Sequence, residues 1–405
     1  MLKQISIDEL VPGMYVNQVL EQSGKLKMRS KGIVKTQSIV EALKGKGILV
    51  LEIDMSKSKL PKSVEPTEPA PTSEPEPQVQ PQESKQPKTK LSEADALNAA
   101  NDLYMQAVLI QGEFIESLQQ GAANDLSSAT DLSQNIIDSV FDSPDALSCL
   151  TMIKDADKYL LEHSINCSIL MAIFCQHLGY SREQTDDACL GALLMDVGMS
   201  TIPEELYHQT HSLSEADWSV IHGHVDAGVA MVEPLEDITD LTLAIIQQHH
   251  EREDGSGYPS GLASGEINEF AKMAAIVDCY DAMISERPYH EPMSPSIALK
   301  RLTKEPGLDK TLLKQFIACI GIHPVGSLVK LRSGKLGIVS SQNKDDMLSP
   351  AVMTFYSVNG NHFNEIKRID LSKVDDEIVS GIKPDEFGIN LPRFFKDVFL
   401  NQMPQ

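Results

Sequence analysis

The sequence predicts a multidomain protein whose main part is an all-α helical bundle, with small β-rich regions at both ends. Three observations predict this architecture. Strand-like patterns are confined to the two ends of the 405-residue chain, a long central region has helical periodicity, and a proline-rich stretch separates the first part from the second. Hydrophobic residues make up 41% of the chain, enough for a sizeable core, and the length suits two or three domains.

Residues 1–55 are expected to form a small β-rich domain. The stretch 10–16 indicates a turn leading into a strand, and 47–53 indicates a buried strand. Residues 56–90 are predicted to be a linker, because eight of the 22 prolines lie between Pro61 and Pro87 among Glu, Gln, Ser, Thr and Lys. Such a segment cannot bury enough apolar area to offset the entropy of ordering it.

Residues 91–325 have a helical pattern with few strand signals. Helix starts are predicted where a Ser or Thr side chain can cap the first turn, at Ser92, Ser143, Ser181, Ser214 and Thr239. Helix ends are predicted near Gly121, Gly179 and Gly198. Residues 326–405 return to a β pattern, in which 327–331 and 336–339 predict a hairpin and 352–356 a third strand.

The charge and the cysteine content limit which partners and which cellular compartment are expected. The net charge is −23, with 58 acidic and 35 basic residues, which argues against nucleic acid because phosphate contacts need many cations. The six cysteines form no CxxC pair, and no signal-peptide pattern opens the chain, so a cytoplasmic protein is expected. The longest apolar stretch, 169–175, is too short to span a bilayer.

The stretch 249–262, His-His-Glu-Arg-Glu-Asp-Gly-Ser-Gly-Tyr-Pro-Ser-Gly-Leu, is the most informative in the chain. Two adjacent histidines end an apolar, helix-like run, and a loop with three glycines and a proline follows at once. Core packing does not require this arrangement. Metal chemistry and the close approach of a phosphate ester to the backbone do require it.

Histidines and aspartates recur at wide spacing within or at the end of predicted helices. They are His163, Asp196, His224, His249, His250 and Asp278. A carboxylate in an apolar run is costly unless it is paired or bound to metal, and helical folds build metal sites from side chains on separate helices. His249 and His250 would point about 100° apart on a helix, towards two ions or towards one ion and a ligand. The isolated His208, His211, His222 and His323 are interpreted as surface or core residues.

The segment from His163 to Tyr289 resembles the HD-GYP family, a branch of the HD phosphohydrolases that acts on cyclic di-GMP. The family pattern HHExxDGxGYP is matched in full by His249, His250, Glu251, Asp254, Gly255, Gly257, Tyr258 and Pro259. The resemblance extends from roughly residue 155 to 325, and the first 55 residues are similar to a small domain of unknown function that often precedes HD-GYP domains. It implies an HD-type helical bundle for the main domain.

The resemblance also implies a metal centre. In the family, two or three divalent metals, most often iron or manganese, activate water for attack on phosphorus. Carried over to this chain, one ion would be held by His163, Asp196 and Asp278. Asp196, the catalytic residue, would bridge to a second ion held by His224, His249 and His250. One or two ions are expected here.

The ligand contacts follow from the same resemblance. Arg287 would meet a phosphate of cyclic di-GMP, and the ligand would approach the loop backbone at Gly255, Gly257, Tyr258 and Pro259. Glu251 and Asp254 are expected to fix that loop. A diguanylate cyclase or another signalling protein would be a further partner through the same loop.

Two family residues are replaced in the motif that gives the family its name. Met195 stands where the family has a metal-binding His, and Met199 stands where it has a Lys facing the phosphate. A second Lys corresponds to Gln209, and Tyr159 stands where some members place a Glu for a third metal. A thioether is a poor ligand for iron or manganese, and losing Lys removes positive charge where negative charge develops.

Three functions remain open on the sequence. The preferred hypothesis is a degenerate HD-GYP module that binds cyclic di-GMP or a partner, with hydrolysis reduced or lost. The alternative is an active metal-dependent phosphodiesterase that produces the linear dinucleotide or GMP. The third is a helical scaffold with a vestigial metal site.

Overall fold

The structure is a computed structural model, which describes residues 2–7, 10–11, 14–22, 32–34, 40, 44, 48–54, 93–152, 159–207, 213–286, 291–343, 345–383 and 387. The described part is helix-rich and contains two small antiparallel sheets, as the sequence predicts. It divides into two compact units, Met1–Gln86 and Pro87–Gln405. The predicted linker 56–90 lies outside the described residues.

The first unit contains a four-stranded sheet. Its strands are β1 (Leu2–Ser6), β2 (Tyr15–Gln22), β3 (Gly32–Ile33) and β4 (Ile48–Asp54), in the order β1-β4-β2-β3. Leu51 and Ile53 of β4 are buried and the intervening Glu52 is half-buried, which is the two-residue alternation of a strand with one face on a core. The two strands predicted in this region therefore correspond to β2 and β4.

Twelve α-helices are described in the second unit. They are α1 (Glu93–Gln119), α2 (Ser127–Asp142), α3 (Pro144–Leu150), α4 (Tyr159–Leu178), α5 (Arg182–Leu194), α6 (Glu204–Tyr207), α7 (Glu215–His222), α8 (His224–Val232), α9 (Asp240–Gln248), α10 (Glu269–Ile284), α11 (Pro295–Leu302) and α12 (Lys310–Ile320). A 3₁₀ helix, Val197–Thr201, follows α5. Helices α4 and α10 are buried on almost every side, so they form the centre of the bundle.

Side-chain caps start several of these helices where the sequence predicts them. Ser181 and Ser214 each form a capping box, with Gln184 and Asp217 respectively, and the Thr239 hydroxyl accepts from a backbone N–H in the first turn of α9. Ser143 precedes α3 without a side-chain cap bond, and Pro144 at the first helical position presets the backbone there. Ser92 lies outside the described residues.

The second sheet contains β5 (Leu328–Leu331), β6 (Lys335–Ser341), β7 (Ala351–Ser357), β8 (His362–Asp370) and β9 (Ile378–Gly381), in the order β8-β7-β6-β5-β9. The predicted hairpin is present as β5 and β6, with Gly334 at a positive φ in the turn. Val329, Ile338 and Phe355 are buried in the same hydrophobic core as the helices. Among the described helices, none combines the length and apolarity needed to cross a membrane.

Candidate metal centre

Five elements of the bundle bring the six predicted His and Asp side chains together. His163 lies on α4 and Asp278 on α10, the two central helices. Asp196 lies immediately before the 3₁₀ helix, and His224 is the first residue of α8. The two adjacent histidines lie at and just after the end of α9.

The six side chains form two groups that share one carboxylate. One group contains His163, Asp196 and Asp278, and the other contains Asp196, His224, His249 and His250. In each group the candidate ligand atoms all lie within 4.8 Å of one another. The division is the one that the sequence resemblance implies, with Asp196 in the bridging position.

The carboxylate of Asp196 contacts both groups through different oxygens. Its Oδ2 lies 3.4 Å from Nε2 of His163, and its Oδ1 lies 3.4 Å from Nε2 of His224 and 3.8 Å from Nε2 of His249. Asp278 links the groups a second time, with Oδ1 3.1 Å from Nε2 of His163 and Oδ2 3.7 Å from Nδ1 of His250.

Backbone carbonyls fix the tautomers of two of these histidines. Nδ1 of His224 lies 2.7 Å from the carbonyl oxygen of Ile221, and Nδ1 of His249 lies 2.9 Å from that of Ile246. Because a carbonyl oxygen only accepts, each Nδ1 carries the proton and each Nε2 presents its lone pair to the cluster. This is the arrangement that orients a metal-binding imidazole.

The protonation states suit a cation. Burial would raise the pKa of Asp196, but hydrogen bonding and charge from His163, His224 and His249 hold it well below the ordinary range. Burial lowers the pKa of His249 and of His250, so both rings favour the neutral form that binds metal. The ionised Asp196 carboxylate and the neutral rings of His249 and His250 are a donor set that fits a divalent metal ion.

Asp281 is a candidate site residue that the sequence analysis did not identify. It is fully buried, and its Oδ2 lies 2.8 Å from Nδ1 of His163, which therefore points Nε2 at Asp196 and Asp278. Asp281 follows Asp278 by three residues on α10, so both carboxylates lie on one helix face. That spacing of two acids within an apolar helix was the available signal.

We expect Asp281→Asn to weaken Mn²⁺ binding at the three-residue group by about 10–100-fold, because outer carboxylates that orient a ligand histidine have effects of that size. Calorimetric titration of the apoprotein with Mn²⁺ measures the change. Asp226→Asn, at an exposed acid on α8, is the control and should leave the affinity unchanged. Equal Mn²⁺ affinities in the two variants would show that Asp281 does not orient a metal ligand.

Gly198 sets the distance between the 3₁₀ helix and α8. A Cβ built on it would collide with the backbone oxygen of His224 and would lie 2.5 Å from the backbone nitrogen of Gly228. Gly121 and Gly179 adopt positive φ at helix ends, as predicted, whereas Gly198 has no positive φ and is required for close packing. This contact positions Asp196 and His224 against each other.

Gly198→Ala should therefore separate the two segments and lower both the thermal stability and the metal content of the purified protein. The obstructing atoms belong to the backbone and cannot rotate away, so a loss of about 2 kcal/mol or more in unfolding free energy is expected. Gly265→Ala is the matched control, since a Cβ there meets nothing within 4 Å. Identical melting temperatures for the two variants would contradict this account.

Met195 and Met199 flank the shared carboxylate in the structure. Met195 caps the end of α5 and is fully buried, directly before Asp196. Met199 lies in the 3₁₀ helix and is half-buried. Arg287 and Gln209 lie outside the described residues, so the roles inferred for them stay predictions.

The glycine-rich loop is held by two carboxylates. Glu251 accepts from the backbone N–H of Ser260 at 2.8 Å and of Leu262 at 2.9 Å, and Asp254 accepts from the N–H and hydroxyl of Ser256. These are the loop-fixing contacts expected from the sequence. Gly257 leaves no room for a side chain, because a Cβ would collide with the backbone around Glu251.

Tyr258 of this loop packs between two histidine rings. Its ring centroid is 4.6 Å from that of His250 and 3.8 Å from that of His222, and both pairs are stacked. His222 in turn contacts Trp218, with a centroid separation of 5.8 Å. His222, interpreted from sequence as an isolated surface or core residue, thus belongs to the wall of the site.

Two family models and several curated relatives are similar in sequence to this chain. A family model described as "HD domain" matches residues 148–312, and a model described as a domain of unknown function (DUF3391) matches residues 2–129, past the predicted boundary at 55. The chain is 29% identical over 391 residues to the cyclic di-GMP phosphodiesterase PA4108 of Pseudomonas aeruginosa, covering 95% of this chain and 93% of that protein.

Other relatives match a smaller share of the chain. The cyclic di-GMP phosphodiesterase response regulator RpfG of Xanthomonas campestris is 31% identical over 141 residues, 35% of this chain and 37% of that protein. The 3'3'-cGAMP-specific phosphodiesterase 2 of Vibrio cholerae is 29% identical over 164 residues, 38% of this chain and 31% of that protein. A solved HD-GYP-type protein from Bdellovibrio bacteriovorus, Bd1817, covers 78% of this chain and 98% of its own, with a TM-score of 0.45 and 18% identity. The HD-domain match over residues 148–312 and the similarity to PA4108, together with the full motif at 249–259, support an HD-GYP family protein.

Proposed function

We propose that this protein is a cyclic di-GMP signalling protein that binds the dinucleotide at a divalent-metal centre and hydrolyses it slowly or not at all. One observation carries the proposal. The group of Asp196, His224, His249 and His250 offers four donors. The group of His163, Asp196 and Asp278 offers three, and the buried Met195 directly precedes the shared Asp196. The first group suits tight binding of an ion and the second suits weaker binding.

Similarity to a cyclic di-GMP phosphodiesterase supports cyclic di-GMP as the ligand. PA4108, which this chain resembles over almost its whole length, is named a cyclic di-GMP phosphodiesterase. A bound divalent ion would supply Lewis acidity towards a phosphoryl oxygen. The chain itself supplies the orientation of the donors, through Asp281 and the carbonyls of Ile221 and Ile246, and a backbone loop close to the ligand, held by Glu251.

Slow hydrolysis follows from what replaces the family residues. With Met199 in the 3₁₀ helix, the site lacks a Lys at the position where the family places one near the phosphate. Charge that develops on the phosphoryl oxygens is then stabilised less, an effect on the order of a hundredfold in rate. A contact between the glycine-rich loop and a diguanylate cyclase stays a prediction.

The second candidate function is an active phosphodiesterase that releases the linear dinucleotide or GMP. The shared carboxylate favours it, since Asp196 contacts both histidine groups and a pair of bridged ions is a common catalytic arrangement. Solvent would then complete the coordination of the three-residue group.

The experiment compares metal dependence of binding with metal dependence of turnover. The full-length protein is stripped of metal, reloaded with Mn²⁺ or Fe²⁺, and titrated with cyclic di-GMP in a calorimeter while products are separated by chromatography. Binding that requires metal, with little product, supports the proposal. Rapid turnover supports an active phosphodiesterase. Binding of cyclic di-GMP that is equal with and without metal contradicts both functions.

A further inference from the structure

A row of aromatic rings connects the metal centre with the surface at α7. His250 stacks on Tyr258 at 4.6 Å, Tyr258 stacks on His222 at 3.8 Å with an interplanar angle of 15°, and His222 meets Trp218 at 5.8 Å and 43°. We call these four residues the ring row. Its inner end is a candidate metal ligand, and its outer end is exposed.

Trp218 does not serve a hydrophobic core. Helix α7 contains no buried residue, and 45% of the Trp218 side chain is exposed. Trp218 and His222 are four residues apart and therefore lie on the same helix face, the one that meets Tyr258. Trp218 is also the only tryptophan of the chain, and it leaves much of a large aromatic surface open beside the metal centre.

We infer that Trp218 and His222 form a stacking surface for one purine base of a cyclic dinucleotide whose phosphate binds at the metal centre. The inference rests on the proposed function and adds a specificity contact to it. The His and Asp groups address phosphate oxygens and carry no means of holding a base. A flat aromatic face does hold a base, because every nucleobase stacks on indole or imidazole.

The contact gives the bound ligand two attachment points of different chemistry. Phosphate oxygens would meet ions held by the two His and Asp groups, and a base would meet the outer end of the ring row. Tyr258 stacks on both His250 and His222, and Glu251 fixes its loop. Tyr258 therefore holds the metal-binding end and the base-binding end of the ring row in a fixed arrangement. Loss of the stacking surface should therefore weaken binding of the dinucleotide without releasing the metal.

The single tryptophan makes a direct test available. Intrinsic tryptophan fluorescence of the full-length, Mn²⁺-loaded protein reports on Trp218 alone. Titration with cyclic di-GMP should change that emission saturably, over the same concentrations at which calorimetry records binding. Trp218→Ala should weaken binding on the order of tenfold or more with unchanged Mn²⁺ content, and Trp218→Phe should retain most of the affinity.

Val220→Ala is the matched control, because Val220 lies on the same helix and is also 45% exposed, and it should bind like the unmodified protein. Calorimetric binding with unchanged emission, or with unchanged affinity in Trp218→Ala, overturns the stacking surface and leaves the proposed function intact. Loss of Mn²⁺ from Trp218→Ala assigns Trp218 a structural role and also overturns it. Absence of any binding by the metal-loaded protein overturns the proposed function and the stacking surface together.

Discussion

Asp196→Ala is expected to abolish divalent-metal binding by both ligand groups at once. Asp196 is the one side chain that the groups share, and it contacts His163, His224 and His249 through its two oxygens. Replacing residues that only orient a ligand costs about 10–100-fold in affinity, so loss of the bridging carboxylate should cost a hundredfold or more. Binding of cyclic di-GMP should fall with it.

The fold should survive this substitution. His163, which contacts Asp196, keeps Asp278 and Asp281 as carboxylate partners after the substitution, so its ring is not left unpaired in the core. Metal analysis of the purified variant and a calorimetric Mn²⁺ titration measure the effect, with circular dichroism as the check on folding. His250→Ala is the informative comparison, because it removes a donor from one group and should leave the other able to bind. A folded Asp196→Ala protein that retains stoichiometric metal would contradict the assignment of the shared ligand.

Met195→His combined with Met199→Lys should increase both metal occupancy and hydrolysis. The histidine would add a nitrogen donor beside Asp196 in the three-residue group, and the lysine would place a positive charge on the 3₁₀ helix. Preorganised charge of this kind is worth on the order of a hundredfold in rate. We expect turnover of cyclic di-GMP to rise by about that factor and the Mn²⁺ stoichiometry to approach two ions.

A volume-conserving variant separates donor chemistry from packing. Met195 is fully buried, so Met195→Leu should preserve the core while adding no ligand, and it should leave occupancy and turnover at the original level. Met195→His without metal should be less stable to heat, since an unpaired imidazole is buried, and Mn²⁺ should restore the stability. If turnover is already fast in the unmodified protein and is unchanged in the double variant, the residues at positions 195 and 199 do not limit the rate of hydrolysis.

Periodicity and capping signals predicted most of the elements. Ser181, Ser214 and Thr239 start helices through local hydrogen bonds, which depend on residues close in the chain and can be recognised without a fold. The hairpin of β5 and β6 was predictable for the same reason. The all-helical character of the region around residues 159–320 follows from these local rules.

The assembly of the site depended on contacts between distant segments, which local rules do not encode. The six candidate ligands could be grouped because the motif at 249–259 is long enough to indicate the family, and the structure brings their side chains together in two groups. Asp281 and His222 were missed because their partners, His163 and Tyr258, lie 118 and 36 residues away in the chain. Gly198 was predicted to mark a helix end, but the structure shows that it is required for close packing against the backbone of His224.

The most direct test of the central claim is to incubate the Mn²⁺-loaded protein with excess cyclic di-GMP, recover the protein by gel filtration, and identify the nucleotide that accompanies it. The account predicts intact cyclic di-GMP bound to the protein, with retention lost on chelation of the metal. Recovery of linear dinucleotide or GMP after rapid and complete conversion would contradict the claim of slow hydrolysis. Recovery of protein without any nucleotide would contradict the claim that the His and Asp cluster forms a cyclic di-GMP site.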